Sequence, residues 1–200
     1  MLPLQELQKL DVVLGSASPR RKEILTQLGV SFRIVTSSAP EQSIVADPAG
    51  LVEDLARQKS EHVLDELRAE GSLSPDTLVI TADTIVVLNG RVLGKPSSEA
   101  DAKRMIEGLQ AHTHTVLTGL CLSLGERRLI GHESTEVEFA PMSEEEIRDY
   151  LTSQDYRDKA GAYGIQSKAA PYIRKLTGDY YNVVGFPVRL FYEMVSKILQ

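Results

Sequence analysis

Short apolar runs alternate along this chain with longer stretches in which apolar residues recur at helical spacing, the pattern of strands interleaved with amphipathic helices. Val12-Val13-Leu14 is a strand-like run closed by Gly15, after which Ile24, Leu25 and Leu28 recur at helical spacing up to Gly29. Ser18 is placed to cap that helix, and Pro19 suits its first position, where a backbone N–H would have no partner. Residues 32–35 predict a second strand, and Leu51, Val52, Leu55, Val63 and Leu67 predict a long helix over residues 48–68.

Residues 78–88 are apolar and β-branched, Asn89-Gly90 is a two-residue hairpin turn, and Arg91-Val92-Leu93 returns from it. A helix over 98–109 follows, then strands over 116–124 and 133–139 around a turn near Gly125, the second with one solvated face. Ser143 and Glu146 form a capping box opening a helix that carries Ile147, Tyr150 and Leu151. Gly161 and Gly164 mark an irregular loop, residues 172–174 and 181–184 predict short strands, and Pro187 opens a final helix. Alternating elements early and hairpins in the middle predict an α/β fold with a mixed sheet flanked by helices, in one domain over residues 1–200.

Composition narrows the partners. With 200 residues, 42% of them apolar, the chain can bury a substantial core. A formal net charge of -6 argues against nucleic acid or an anionic membrane surface, so an anionic substrate needs a local cationic pocket. Aromatic residues, at 6%, are too few for a base-stacking groove. Cys121 is the only cysteine, which excludes an internal disulfide and cysteine-clustered metal sites. No apolar stretch has membrane-spanning length and the first residues lack a signal-peptide pattern, so the expected location is cytoplasmic.

Candidate chemistry begins at Ser16-Ala17-Ser18-Pro19-Arg20-Arg21. At a strand-to-helix junction the first N–H groups lack partners and the helix dipole is positive, so Ser16, Ser18, Arg20 and Arg21 suit either a polyphosphate site or a solvated basic turn. Asp83 lies inside the apolar run 78–87, where an unpaired carboxylate is costly and a cation or metal compensates; the plainer alternative is a sheet-edge cap. Counting back from the Asn89-Gly90 turn puts Lys95 opposite Thr84, so Lys95 and Asp83 share a pocket only through a bulge or a strand end near Gly94 and Pro96. Lys59 falls inside the apolar arc of its helix, where it either snorkels or lines a cavity. Glu41 follows Ala39-Pro40 as a solvated acid or a metal ligand. No H-x-x-x-H pair, G-x-S-x-G elbow or Walker loop occurs, which disfavours zinc proteases, α/β-hydrolases and P-loop enzymes.

Five segments in order complete a pattern: the Ser16–Arg21 run, Leu55-Ala56-Arg57-Gln58-Lys59, Ala82-Asp83-Thr84-Ile85-Val86 with Gly94-Lys95-Pro96, residues 158–166, and Asn182-Val183-Val184-Gly185-Phe186-Pro187. Over essentially its whole length the chain resembles the Maf-type nucleoside triphosphate pyrophosphatases. The resemblance implies a two-lobed Maf/ITPase-like fold with a central cleft, cleavage of a triphosphate to monophosphate and pyrophosphate, dependence on Mg²⁺ or Mn²⁺, and a homodimer. It implies phosphate-site roles for Ser16, Arg20, Arg21, Lys59 and Lys95, metal-linked acids at Glu41 and Asp83, and Asp83 as the base. Arg20, Thr84 and Gln166 match positions tied to pyrimidine choice, which points to the dTTP/UTP branch. The alternatives are the 7-methyl-GTP branch and a nucleotide-binding regulator of cell division with little turnover. Departures from the family pattern fall at Ala111, Ser167, Ala169 and Ala170, where relatives commonly carry glycine, and are expected to tune loop shape.

Overall fold

The computed structural model describes residues 3–36 and 42–200. It carries the chain in order through α1 (Pro3–Glu6), β1 (Asp11–Leu14), α2 (Pro19–Gln27), β2 (Arg33–Ile34), α3 (Pro48–Ala69), β3 (Thr77–Leu88) and β4 (Arg91–Leu93). The remainder is α4 (Glu99–Leu109), β5 (Thr113–Leu124), β6 (Arg127–Phe139), α5 (Glu144–Thr152), β7 (Ile173–Thr177), α6 (Tyr180–Val184) and α7 (Val188–Ile198). The strands of the described residues form one sheet in the order β2-β1-β3-β5-β6-β7, with β4 paired to β3. β1 runs parallel to β2 and to β3, whereas the β3–β4 and β6–β7 pairs are antiparallel, so the sheet is mixed as expected.

The described residues divide into two compact units, one within Met1–Asp83, Thr118–Glu133 and Gly185–Gln200, the other within Thr84–Leu117 and Ser134–Val184. In the first, Val13 of β1 and Val79 of β3 face Val63, Leu64 and Leu67 of α3 across a dry core. Burying each such side chain contributes about 1.5–3 kcal/mol. Two glycines sit where a side chain has no room: a Cβ on Gly119 would lie 2.3 Å from the Val52 carbonyl oxygen, and one on Gly15 would lie 2.5 Å from the Thr81 methyl group. The second unit is built around Ile106, Leu109, Val116, Phe139, Ile147 and Tyr163.

Four local expectations change. Ser18 occupies the N-cap of α2 without a side-chain capping bond; its own N–H instead donates to Ser16 Oγ at 3.2 Å. β6 begins at Arg127, earlier than its alternating segment suggested, and β7 extends from Ile173 to Thr177. Residues 181–184 belong to a helix rather than a strand. The Asp179 carboxylate accepts from the Tyr181 N–H at 2.8 Å and starts the turn, while buried Asn182 donates to the Val116 carbonyl and Thr135 Oγ1, both at 2.9 Å. Short apolar runs have no period long enough to separate helix from strand, and here the flanking polar groups decide.

Candidate functional site

β1 delivers Ser16. The Gly15 N–H donates to the Ile80 carbonyl at 2.8 Å, which carries the parallel pairing one residue past the strand and fixes the chain where it turns into α2. Pro19 then opens the helix and Arg21 falls in its first turn. From there the Arg21 guanidinium donates through Nε to the Gly185 carbonyl at 2.8 Å and through Nη1 to the Ala82 carbonyl at 2.9 Å and Ser16 Oγ at 3.1 Å. Ala82 precedes Asp83 in β3, so one side chain joins the serine turn to the strand bearing the carboxylate.

Lys59 reaches Asp83 by the register of α3 on β3. Thr81 and Asp83 point to the same face of the strand because side chains alternate, and Ala56 and Lys59 are one helical turn apart. The buried Thr81 hydroxyl donates to the Ala56 carbonyl at 2.6 Å, which sets the helix at the height where Lys59 meets Asp83. Lys59 Nζ donates to Asp83 Oδ1 in an ion pair whose side chains are 22% and 20% exposed. The Lys59 ammonium thus meets a carboxylate at the partly exposed end of its stem. Ser60 Oγ shares a hydrogen bond of 2.9 Å with Ser123 Oγ beneath it.

Ser16, Arg21, Lys59 and Asp83 are thus brought into one polar network within the first unit, joined through Ala82. Arg20 is half-buried in the same helical turn. Glu41 lies outside the described residues. Thr84, Lys95 and Gln166 belong to the second unit. The β3–β4 ladder ends at Val86 opposite Leu93, so Lys95 sits beyond a strand end, exposed, and not in a continued pairing with Thr84. Gln166 is exposed in the turn that follows Tyr163.

That turn has supports the sequence did not announce. The Gly161 N–H donates to the Gly94 carbonyl at 3.0 Å, and the Tyr150 hydroxyl donates to the Ala162 carbonyl at 2.9 Å. His114 Nε2 and the Tyr163 hydroxyl share a hydrogen bond of 2.7 Å beside Phe139. Burial depresses the His114 imidazole to about 4 and pushes the Tyr150 and Tyr163 hydroxyls up. Nearer the surface, Ser167 and Lys159 both donate to Asp155; burial opposes its charged form, but these bonds outweigh it and hold the carboxyl below its ordinary range. Thr81 could have been found from the alternation that places it on the face of Asp83; His114 carried no signal beyond being a histidine just ahead of the strand expected over 116–124.

A family model described as Maf-like protein matches residues 11–198. The chain belongs to the Maf-like family. Among its relatives, one from Symbiobacterium thermophilum named dTTP/UTP pyrophosphatase is 44% identical over 187 residues, covering 93% of each chain. Proteins of the same name from Koribacter versatilis and Thermococcus kodakarensis are 42% and 41% identical, covering 93% and 92% of this chain and 93% and 94% of their own. Among solved structures, the Staphylococcus aureus Ham1 protein aligns at a TM-score of 0.49 with 14% identity over 94% of this chain and 98% of that one. No helix among the described residues is long and apolar enough to cross a membrane.

Proposed function

We propose that this member of the Maf-like family hydrolyses dTTP and UTP to the monophosphate and pyrophosphate, a housecleaning activity on nucleotide pools. The observation that carries the proposal is the connected network of Ser16, Arg21, Ala82-Asp83 and Lys59, in which an acid and two cations adjoin a helix start. The names of the relatives favour the pyrimidine triphosphates over 7-methyl-GTP and favour turnover over a purely regulatory role.

In the proposed reaction water attacks the α-phosphorus, the bond to the bridging oxygen of the β-phosphate breaks, and pyrophosphate leaves. Asp83 accepts the proton of the attacking water. Lys59 and Arg20 offset charge on the triphosphate, and the first N–H groups of α2 add the positive end of a helix dipole. Lys95 as a further phosphate-site cation, and Thr84 and Gln166 in base choice, rest on the family resemblance. An amide side chain suits the last role, since it both donates and accepts towards the imide edge of a pyrimidine.

A divalent cation fits the donor chemistry. Magnesium takes oxygen ligands and commonly uses one or two carboxylates together with substrate phosphates. Asp83 would hold it, with Glu41 as the second acid; among the described residues no group of three His, Cys, Asp or Glu side chains gathers. When bound, such a cation supplies neutralisation of the triphosphate oxygens. A homodimer and a cytoplasmic location belong to the same proposal.

The test is a pyrophosphate-release screen of the purified chain with Mg²⁺ or Mn²⁺ across dTTP, UTP, CTP and 7-methyl-GTP. Fastest release from dTTP and UTP is expected, while preference for the methylated purine would overturn the assignment.

A further inference from the structure

The geometry points to Arg21 as a positioning residue that aims the Ser16 hydroxyl as a hydrogen-bond donor and steadies the peptide preceding Asp83, rather than as a cation that grips phosphate. This rests on the proposed function. A cation in the first turn of a helix opposes the dipole, so its placement needs a local reason. Here the reason is three acceptors from separated parts of the chain: the Gly185 carbonyl at 2.8 Å, the Ala82 carbonyl at 2.9 Å and Ser16 Oγ at 3.1 Å. A planar guanidinium meets three such directions with its fixed fork of N–H groups; an ammonium on a flexible stem does not.

The consequence falls on Ser16, which is buried to 8% exposure. Its oxygen accepts from Arg21 Nη1 at 3.1 Å and from the Ser18 N–H at 3.2 Å. A hydroxyl has two acceptor positions and one proton. With both acceptor positions taken, the proton is left to donate, the polarity an incoming phosphate oxygen requires. The same guanidinium holds the carbonyl of Ala82, one residue from the carboxylate paired with Lys59.

A phosphate-gripping arginine and a positioning arginine answer differently to lysine. If Arg21 grips phosphate, Arg21→Lys keeps a point charge and much of the binding, with the loss in KM. If Arg21 positions, Arg21→Lys lowers kcat/KM for dTTP about as far as Arg21→Ala, on the order of 100-fold, chiefly in kcat. Ser16→Ala then costs about tenfold alone but less than about threefold in the Arg21→Lys background, since the hydroxyl is already misaimed. Arg21→Lys within about threefold of the unsubstituted protein, or a Ser16→Ala cost equal in both backgrounds, overturns the inference.

Where the Arg21 variants lack a cooperative thermal transition, the unsubstituted protein labelled with ¹⁵N decides, titrated with α,β-methylene dTTP and Mg²⁺. The Arg21 Nε–H signal is expected to stay in place because Gly185 keeps it; a large shift on binding overturns the inference. If the unsubstituted protein releases no pyrophosphate from any triphosphate, the functional proposal falls and this one with it. An active protein with a lysine-tolerant Arg21 sinks this one alone.

Discussion

The polar network of the first unit and the buried hydrogen bonds of the second solve opposite problems. In the first, Lys59 and Asp83 remain charged partners with about a fifth of each side chain exposed, at 22% and 20%, and Arg21 binds neutral acceptors. In the second, Tyr163 itself sits among uncharged groups, with Tyr163 at 6% exposure, His114 at 2% and Tyr150 at 2%, while the Lys159–Asp155 pair, its side chains 17% or less exposed, braces the outer part of its loop. An ion pair can be retained where water still reaches it, whereas a single charge in the dry cluster would cost several kcal/mol. In both units charge is kept as pairs at the partly exposed edge, and the deeply buried contacts around Tyr163 are made by uncharged groups.

Removing charge from the first unit gives the largest expected effect. Asp83→Asn preserves shape but deletes the proposed base, and kcat for dTTP should fall on the order of 1000-fold. Because the Lys59 pair is mostly buried but still reached by water, urea unfolding should show a loss of about 1–3 kcal/mol, far short of the loss in kcat. A variant that loses activity only in proportion to unfolding would mean that the charges of the first unit are structural, and the contrast between the units would collapse.

Adding charge to the second unit should act on stability. His114 titrates near 4 in the folded state against an ordinary 6.5, so between those values the unfolded chain binds more protons and falling pH favours unfolding. Its contribution is complete above about pH 6.5 and is lost as pH falls towards 4, by about 3 kcal/mol in all. His114→Gln keeps a hydrogen-bonding side chain without the titration, so the stability gap between it and the unsubstituted protein should shift by that amount from about pH 7 to about pH 4. Equal slopes in urea titrations would show that the imidazole is not held neutral by burial.

Legibility in the sequence followed the reach of each interaction and not the unit it lies in. The helix and strand periods of β1, α2, α3, β3 and β4 lie within long or well-punctuated patterns, and Asp47 at the start of α3 and the capping box at Ser143 and Glu146 act locally, so those elements follow from nearby residues. Residues 181–184 are started as a helix by Asp179, but Asn182 is held there by Val116 and Thr135, partners far away in the chain that no window contains. At the candidate site, Ser16, Asp83 and Lys59 could be singled out by burial cost and dipole. The hold of Arg21 on the carbonyls of Ala82 and Gly185 could not, since those partners lie 61 and 164 residues away in the chain. His114 was equally hidden, because its partner Tyr163 is 49 residues away.

The smallest effect concerns backbone rather than charge. Ala111 has φ of +57°, and its exposed position leaves little packing that would reward the methyl group. A left-handed conformation costs an L-residue about 1–2 kcal/mol, while glycine loses about 0.4–1 kcal/mol more than alanine from the freedom of its unfolded chain. Ala111→Gly should therefore stabilise by roughly 0.5–1 kcal/mol, read as a rise in the urea midpoint with unchanged slope. Its N–H, which donates to the Ala140 carbonyl at 3.2 Å, is retained in the variant. Since nothing titrates, the gain should be the same at neutral and acid pH, unlike that of His114→Gln. A gain that grew on acidification would mean that the turn before His114 and the imidazole behave as one element, and that the second unit gives up neutrality and backbone strain together.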